Sequence, residues 1–354
     1  MLKRRRRIRR LLAGCICLAL CAAGIYAVPK IIRFMTGRTG DYTYVLLADG
    51  TAEIRQYYGN EAEVTIPSSL DGHAVSRIGM KSFGWRINIK RLTIPQSVTV
   101  IDDGAFMGCV RLSGIEMPEG VTTIGEEAFR GCSSLTGLHL PDTVTAIGSR
   151  AFEGCSNLSE IRIPDNAVLI GANPVSACPN LKRILFSSDH PSLKNVDGNL
   201  CDQTGTVLIC CAQDTTDPVY VIPSGITAIG ECAFQRKTHL KEVILPDGIA
   251  EIRDHAFDGC SGLQDITIPS GVTVLGNSVF SECTSLERAV LPDGLTEIGY
   301  LAFFNCFSMT RLRIPASVTN IDDGAFIGCR NLTIEAEPGS FAEAYCIRNG
   351  LRYN

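Results

Sequence analysis

The chain has 354 residues, with 33 Lys and Arg against 37 Asp and Glu and a formal net charge of −4. The charge is unevenly placed: residues 1–40 hold ten of the basic side chains and no acid, which leaves 23 basic residues against 37 acids beyond them. So acidic a body excludes binding to nucleic acid through phosphate neutralisation.

Residues 1–10 (MLKRRRRIRR) carry seven positive charges, and residues 11–28 (LLAGCICLALCAAGIYAV) are eighteen uncharged, mostly apolar positions. As a helix the apolar segment spans about 27 Å, close to the hydrocarbon thickness of a bilayer. The basic cluster before it is expected to stay cytoplasmic and to send everything after Val28 outside. The prediction is a transmembrane signal anchor, with the C-terminal domain extracellular. Two other readings use the same residues: cleavage after Ile25-Tyr26-Ala27 would release the protein, and Leu12-Ala13-Gly14-Cys15 has the form of a lipoprotein box. Such boxes end an apolar stretch, whereas this one begins it.

After a linker at 29–41, residues 42–58 (YTYVLLADGTAEIRQYY) read as two strands around Ala48-Asp49-Gly50. They form an N-terminal β-hairpin cap within 42–66. A repeat then takes over. Pro95, Pro118, Pro141 and Pro164, and later Pro223, Pro246, Pro269, Pro292, Pro315 and Pro338, fall at steps of 23 within each run. The copies share one template, L-x-x-I-x-I-P-x-x-V-T-x-I-G-x-x-A-F-x-G-C-x-x. I-x-I alternates in period two and reads as a short strand, which proline ends by removing a donor. V-T-x-I reads as a second short strand. Gly125, Gly148 and Gly230 follow it, where a backbone angle that other residues resist is expected. Acid pairs such as Asp102-Asp103, Glu126-Glu127 and Asp322-Asp323 precede Ala-Phe, and the expectation is one helical turn capped by the acids. No coil can bury its apolar side chains alone, so the copies must stack into a solenoid. The predicted arrays cover 67–186 and 223–337. A C-terminal cap at 338–354 contains a short helix over 341–348, capped by Ser340 and closed by Gly350.

The template I-P-x-x-V-T-x-I-G-x-x-A-F-x-G-C-x-x-L resembles the BspA-like, or treponemal-type, leucine-rich repeat from about Tyr42 to the C-terminus. The longer opening coil IPSSLDGHAVSRIGMKSF (66–83) and the closing segment rich in Ala and Tyr are similar too. The resemblance implies an α/β leucine-rich-repeat solenoid of short parallel strands and one-turn helices. It also implies a surface protein similar to adhesins that bind host matrix proteins or other cells, and it brings no catalytic residues.

The repeat is interrupted at one place. Pro174-Val175 replaces Ala-Phe, and the interval from Ser187 to Pro223 is 36 residues, 13 more than one coil. The irregular segment at 187–222 contains VDGNLCDQTGTVLICC (196–211), two strand-like runs around Gln203-Thr204-Gly205, and looks like a β-hairpin island. It reads as a spacer joining two half-arrays, or alternatively as a projecting recognition loop.

Of 16 cysteines, Cys15, Cys17 and Cys21 lie in the apolar segment. Eight others (Cys109, Cys132, Cys155, Cys178, Cys260, Cys283, Cys306 and Cys329) form a ladder at one template position. Stacked parallel side chains point the same way, so free, buried thiols are expected ahead of bridges or a metal. The five histidines are scattered, and G-x-S-x-G and P-loop motifs are missing. Neither catalysis nor a cofactor is expected.

If I-x-I is a strand with one buried face, its middle residue points outward. Along the stack these are Thr93, Glu116, His139, Arg162, Leu185, Val221, Ile244, Thr267, Val290 and Arg313, with Arg183 in the row beside them. The centre of the strip is apolar and arginines flank it, the pattern of a partner site. Two simpler accounts compete: β-branched residues suit strands in any case, and the island could fold over the patch. The expected role is display of this face to an extracellular protein or glycan. The alternative is a structural protein that organises the cell's own envelope.

Overall fold

The computed structural model describes residues 36–211 and 217–354, and the predicted transmembrane helix at 11–28 lies outside the described residues. Among the described residues no helix is long and apolar enough to cross a membrane. The described chain is a solenoid of stacked coils, each contributing two short strands and one turn-rich arm.

The I-x-I segments form the first ladder. It runs in parallel from Glu63–Thr65 through Arg91–Thr93 to Gly114–Glu116. After a single bridge from Leu138 to Ile161, it resumes with Glu160–Arg162 against Arg183–Leu185. Beyond the island, Val219–Val221, Glu242–Ile244, Asp265–Thr267 and Arg288–Val290 make a four-stranded run. Arg311–Ile314, Thr333–Ala336 and Arg352–Tyr353 make the last. The V-T-x-I segments form the second ladder, from His73–Ile78 to Leu169–Ile170 and again from Val207–Cys210 to Asn320–Ile321. Both predicted strands of the template are therefore present, in the register that a 23-residue step demands.

The arm is not the predicted one-turn helix. The residue before Ala-Phe is left-handed in coil after coil, with φ of 54° at Glu127, 55° at Arg150, 58° at His255 and 55° at Leu301. A right-handed helix cannot pass through such a residue. The arm's N–H groups bond to the next coil instead: Phe106 N donates to Ala128 O at 2.8 Å, Phe129 N to Ala151 O at 2.7 Å and Phe257 N to Val279 O at 2.9 Å. The acids serve the same purpose. Asp103 Oδ1 accepts from Glu126 N one coil later at 2.8 Å, and Asp254 Oδ1 from Asn277 N at 2.7 Å. Asp322 Oδ1 follows the expected pattern more closely, accepting from Gly324 N at 3.0 Å within its own turn.

Glycine after the second strand is needed for space and not for an unusual angle. Gly125, Gly148 and Gly230 are not among the positive-φ residues. A Cβ on Gly148 would sit 2.4 Å from Glu126 N, and one on Gly125 would sit 2.6 Å from Asp103 N. The glycines of the G-C pair, by contrast, are left-handed, as at Gly131 (φ 72°) and Gly154 (φ 69°).

Phenylalanines build the core. Phe83, Phe106, Phe129 and Phe152 stack with centroids 5.2, 5.3 and 5.6 Å apart, and Phe234, Phe257, Phe280, Phe303 and Phe326 repeat the pattern at 4.9–5.5 Å. Tyrosines close both columns: Tyr57 stacks on Phe83 at 4.9 Å and Tyr345 meets Phe326 edge-on at 6.1 Å. The cysteine ladder runs beside them, its eight thiols free and buried. Each donates to the carbonyl of the preceding coil's phenylalanine, as from Cys132 to Phe106 O at 3.3 Å and from Cys283 to Phe257 O at 3.2 Å.

The two ends and the island are richer than the sequence suggested. Thr36–Thr39 pairs with Tyr42–Leu46, so the front cap begins inside the segment expected to be linker. At the back, the helix Phe341–Asn349 has Ser340 Oγ accepting from Glu343 N at 3.2 Å, and Gly350 closes it with φ 65°. The island has three strands, Leu193–Val196, Asn199–Asp202 and Val207–Cys210, joined antiparallel. Its last strand pairs in parallel with Ala228–Ile229, which carries the second ladder onward.

Candidate functional site

Strand periodicity turns the middle side chain of each I-x-I segment outward. Leu185, Val221, Ile244 and Val290 are 40, 63, 43 and 37% exposed, and Thr267 is exposed between them. Register places Val221 beside Ile244 and Thr267 beside Val290 on one four-stranded run. Arg162 and Leu185 are neighbours on the preceding two-stranded run, and Arg313 opens the last one. All eight singled-out residues thus share the first-ladder face, distributed over three runs of strands.

The arginines are not bare cations. Arg162 Nη1 meets Asp142 Oδ1 at 2.9 Å, Arg183 meets Glu160 at 2.5 Å, and Arg313 meets Asp293 at 2.8 Å and Glu337 at 3.7 Å. Arg162–Asp142 and Arg313–Asp293 join different template positions, whereas Arg183 and Glu160 hold the same position on adjacent coils. Exposed pairs of this kind contribute about 0–1 kcal/mol, so a partner's carboxylate can replace the present one at small cost. The flanks are therefore mixed in sign, not the basic rims that the sequence suggested.

A feature the sequence reading missed lies at the junction. The first ladder stops at Arg183–Leu185 and starts afresh at Val219–Val221, the two strands being unpaired with each other. Beside the restart is a hollow of ≈ 730 Å³, lined by Asp197, Asn199, Asp217, Val221 and Ile244 among others. The island supplies one wall through its Asp197-Gly198 turn, where φ is 51° and 84°. Tyr220 Oη donates to Asn199 Oδ1 at 2.5 Å and ties the island to the strand. The island therefore flanks the apolar strip and leaves Val221 open. The Asp-Gly pair at 197–198 was the available signal: two successive positive angles favour a tight hairpin there.

On the turn side a second hollow of ≈ 500 Å³ occurs where Val175 replaces the expected phenylalanine. Arg150 to Glu231 at 3.5 Å and Asn173 Nδ2 to Cys232 O at 2.7 Å bridge the two half-arrays beside it. Among the described residues no cluster of three or more His, Cys, Asp or Glu could hold a metal ion.

A concave hollow, an apolar centre and surrounding polar groups make a surface suited to recognition of another molecule. Comparison with known proteins adds the family. The model of the BspA type leucine rich repeat region matches residues 76–199 and 217–333. A leucine rich cell surface protein from Faecalibacterium prausnitzii is 32% identical, with 89% of this chain and 98% of that one covered and a TM-score of 0.65. Two further structures share the fold. The pneumococcal vaccine antigen PcpA is 19% identical over 85% of this chain and 81% of its own, with a TM-score of 0.55. A leucine-rich repeat protein from Eubacterium ventriosum is 21% identical over 82% and 93%, with a TM-score of 0.50. A search of curated proteins gave no match. With the family model covering more than half of its length, the chain belongs to the BspA-type leucine-rich repeat family.

Proposed function

We propose that this chain is a non-catalytic binding protein of the cell surface, held in the membrane by residues 11–28, and that its first-ladder face takes an extracellular protein or glycan. The observation that carries this reading is the exposed pair Val221 and Ile244, side by side at the rim of the junction hollow. Burying isolated exposed aliphatic groups against a partner is favourable, and a polar surround gives the contact its specificity. Asp197 and Asp217 line the hollow beside that pair and supply negative charge around it. The cell-surface relative from Faecalibacterium prausnitzii supports the location.

The test is a panel of matrix proteins, mucins and glycans probed with residues 36–354, whose two ends are closed by Tyr57 and Tyr345. Saturable binding to one member is expected. The double substitution Val221→Asp and Ile244→Asp should weaken it roughly 30-fold or more, as loss of an interface hot spot does, with the circular dichroism unchanged. A folded double variant that binds as well as the parent would exclude this face. A blank panel would favour partners in the cell's own envelope.

A further inference from the structure

The opening coil carries an exposed patch that the binding face does not use. Trp85, the one tryptophan of the chain, is 60% exposed; Met80 and Ile87, close to it along the chain, and Tyr58, whose ring lies under the adjacent Arg86, are each more than half exposed. Trp85 is held in place despite its exposure. Its backbone is left-handed with φ 57°, its N–H donates to Met107 O at 2.6 Å, and its indole packs over Gly108. A left-handed angle is sterically unfavourable in a bulky aromatic residue. Here it directs the ring away from the core.

Three further observations point to the same occupant. Tyr58 lies between two guanidinium groups, Arg38 at 5.1 Å and Arg86 at 6.0 Å, which links the patch to the outermost strand, Thr36–Thr39. Residues 72–101 contain Arg77, Lys81, Arg86, Lys90 and Arg91 and no acid, whereas residues 115–354 hold 16 basic side chains against 29 acids. Finally, the seven residues 29–35 between Val28 and Thr36 reach at most about 25 Å. A solenoid tethered that closely must bring its front end to the surface that holds the apolar segment.

We propose that this patch is a membrane-contact surface. Trp85, Ile87 and Met80 seat at the boundary of headgroups and acyl chains in the outer leaflet, and Lys81 and Arg86 lie against anionic lipid phosphates. Aromatic side chains with one apolar body and one polar edge favour that depth, and basic groups are drawn to an anionic surface. The acidic remainder of the solenoid is repelled by the same lipids and points away, so the binding face stands clear of the membrane. This proposal rests on the reading of residues 11–28 as an anchor.

The experiment uses the full chain reconstituted into phosphatidylcholine vesicles with and without phosphatidylglycerol. Trp85 is the only indole, so its emission reports this patch alone. Blue-shifted emission and quenching by lipids brominated near the headgroup end of the acyl chain are expected, both greater with phosphatidylglycerol. Arg86→Glu combined with Ile87→Asp should abolish the quenching while the chain stays in the membrane after carbonate extraction. A chain that resists carbonate but shows unquenched Trp85 overturns the patch and leaves the anchor intact. Should carbonate release the chain, the anchor fails, and flotation of residues 36–354 with phosphatidylglycerol vesicles decides the patch: co-flotation supports it, and none overturns it. A blue shift that follows protein concentration without lipid would assign the patch to a second copy and overturn the lipid reading.

Discussion

Cys109 and Cys178 show how much one template position contributes at the scale of a residue. Burial pushes both thiols up to about 12 from the ordinary 9.0, because the thiolate would lose its hydration in the stack. In the unfolded chain the same groups ionise near 9, so between about pH 9 and 12 the unfolded state has released protons that the folded state retains. Stability contributed by these thiols is full below pH 9 and is lost as pH rises toward 12. Denaturant titrations should give a flat unfolding free energy from pH 7 to 8.5 and a steep fall above it. Replacing Cys109 and Cys178 by Ala should make that fall shallower. An equal slope in the variant would contradict the burial account. The ladder itself was legible, since eight cysteines at one spacing leave one slot. Its donation to the phenylalanine carbonyl was not, because that partner lies 26 residues back and on a different arm.

At the scale of the element, the strands were readable and the arm was not. Period-two alternation ended by proline has one physical meaning, and the two ladders follow it. The arm offered acids and Ala-Phe, which look like a helix start, but its left-handed residues are Glu127, Arg150, His255 and Leu301, types that give no sign of that angle. Bonding to the next coil makes those angles tolerable. The glycine of the second strand carries the matching lesson. Gly148→Ala places a methyl 2.4 Å from a backbone nitrogen of the neighbouring coil, whereas Gly137 has nothing within 4 Å of the same added atom. Gly148→Ala should therefore lower stability by about 1–3 kcal/mol through overpacking. Gly137→Ala should be close to neutral. Chemical denaturation of the pair measures the difference, and two equal values would refute close coil packing as the reason for this glycine.

At the scale of the whole molecule, one interruption sets the geometry. Val175 ends the first phenylalanine column, the island carries the second ladder across, and the first ladder breaks between Leu185 and Val219. The sequence located this junction through its 13 extra residues and named the outward side chains on either side. It did not reveal the hollow, because the island's third strand and its contact from Asn199 to Tyr220 depend on pairing between residues 21 apart. Nor did it show Arg162 and Arg313 neutralised by Asp142 and Asp293, since those pairs join different template positions. The anchor at 11–28 remains a sequence expectation, and the patch around Trp85 gives it a structural counterpart to test.

Amide hydrogen exchange on residues 36–354, alone and saturated with the partner found in the panel, reads the proposed site without altering it. Protection concentrated on Arg183–Leu185, Val219–Val221 and Glu242–Ile244, with the turn arms unchanged, is the predicted result. Protection confined to the turn arms around Glu127–Gly131 and Arg253–Gly259, with the strands exchanging as before, would contradict it.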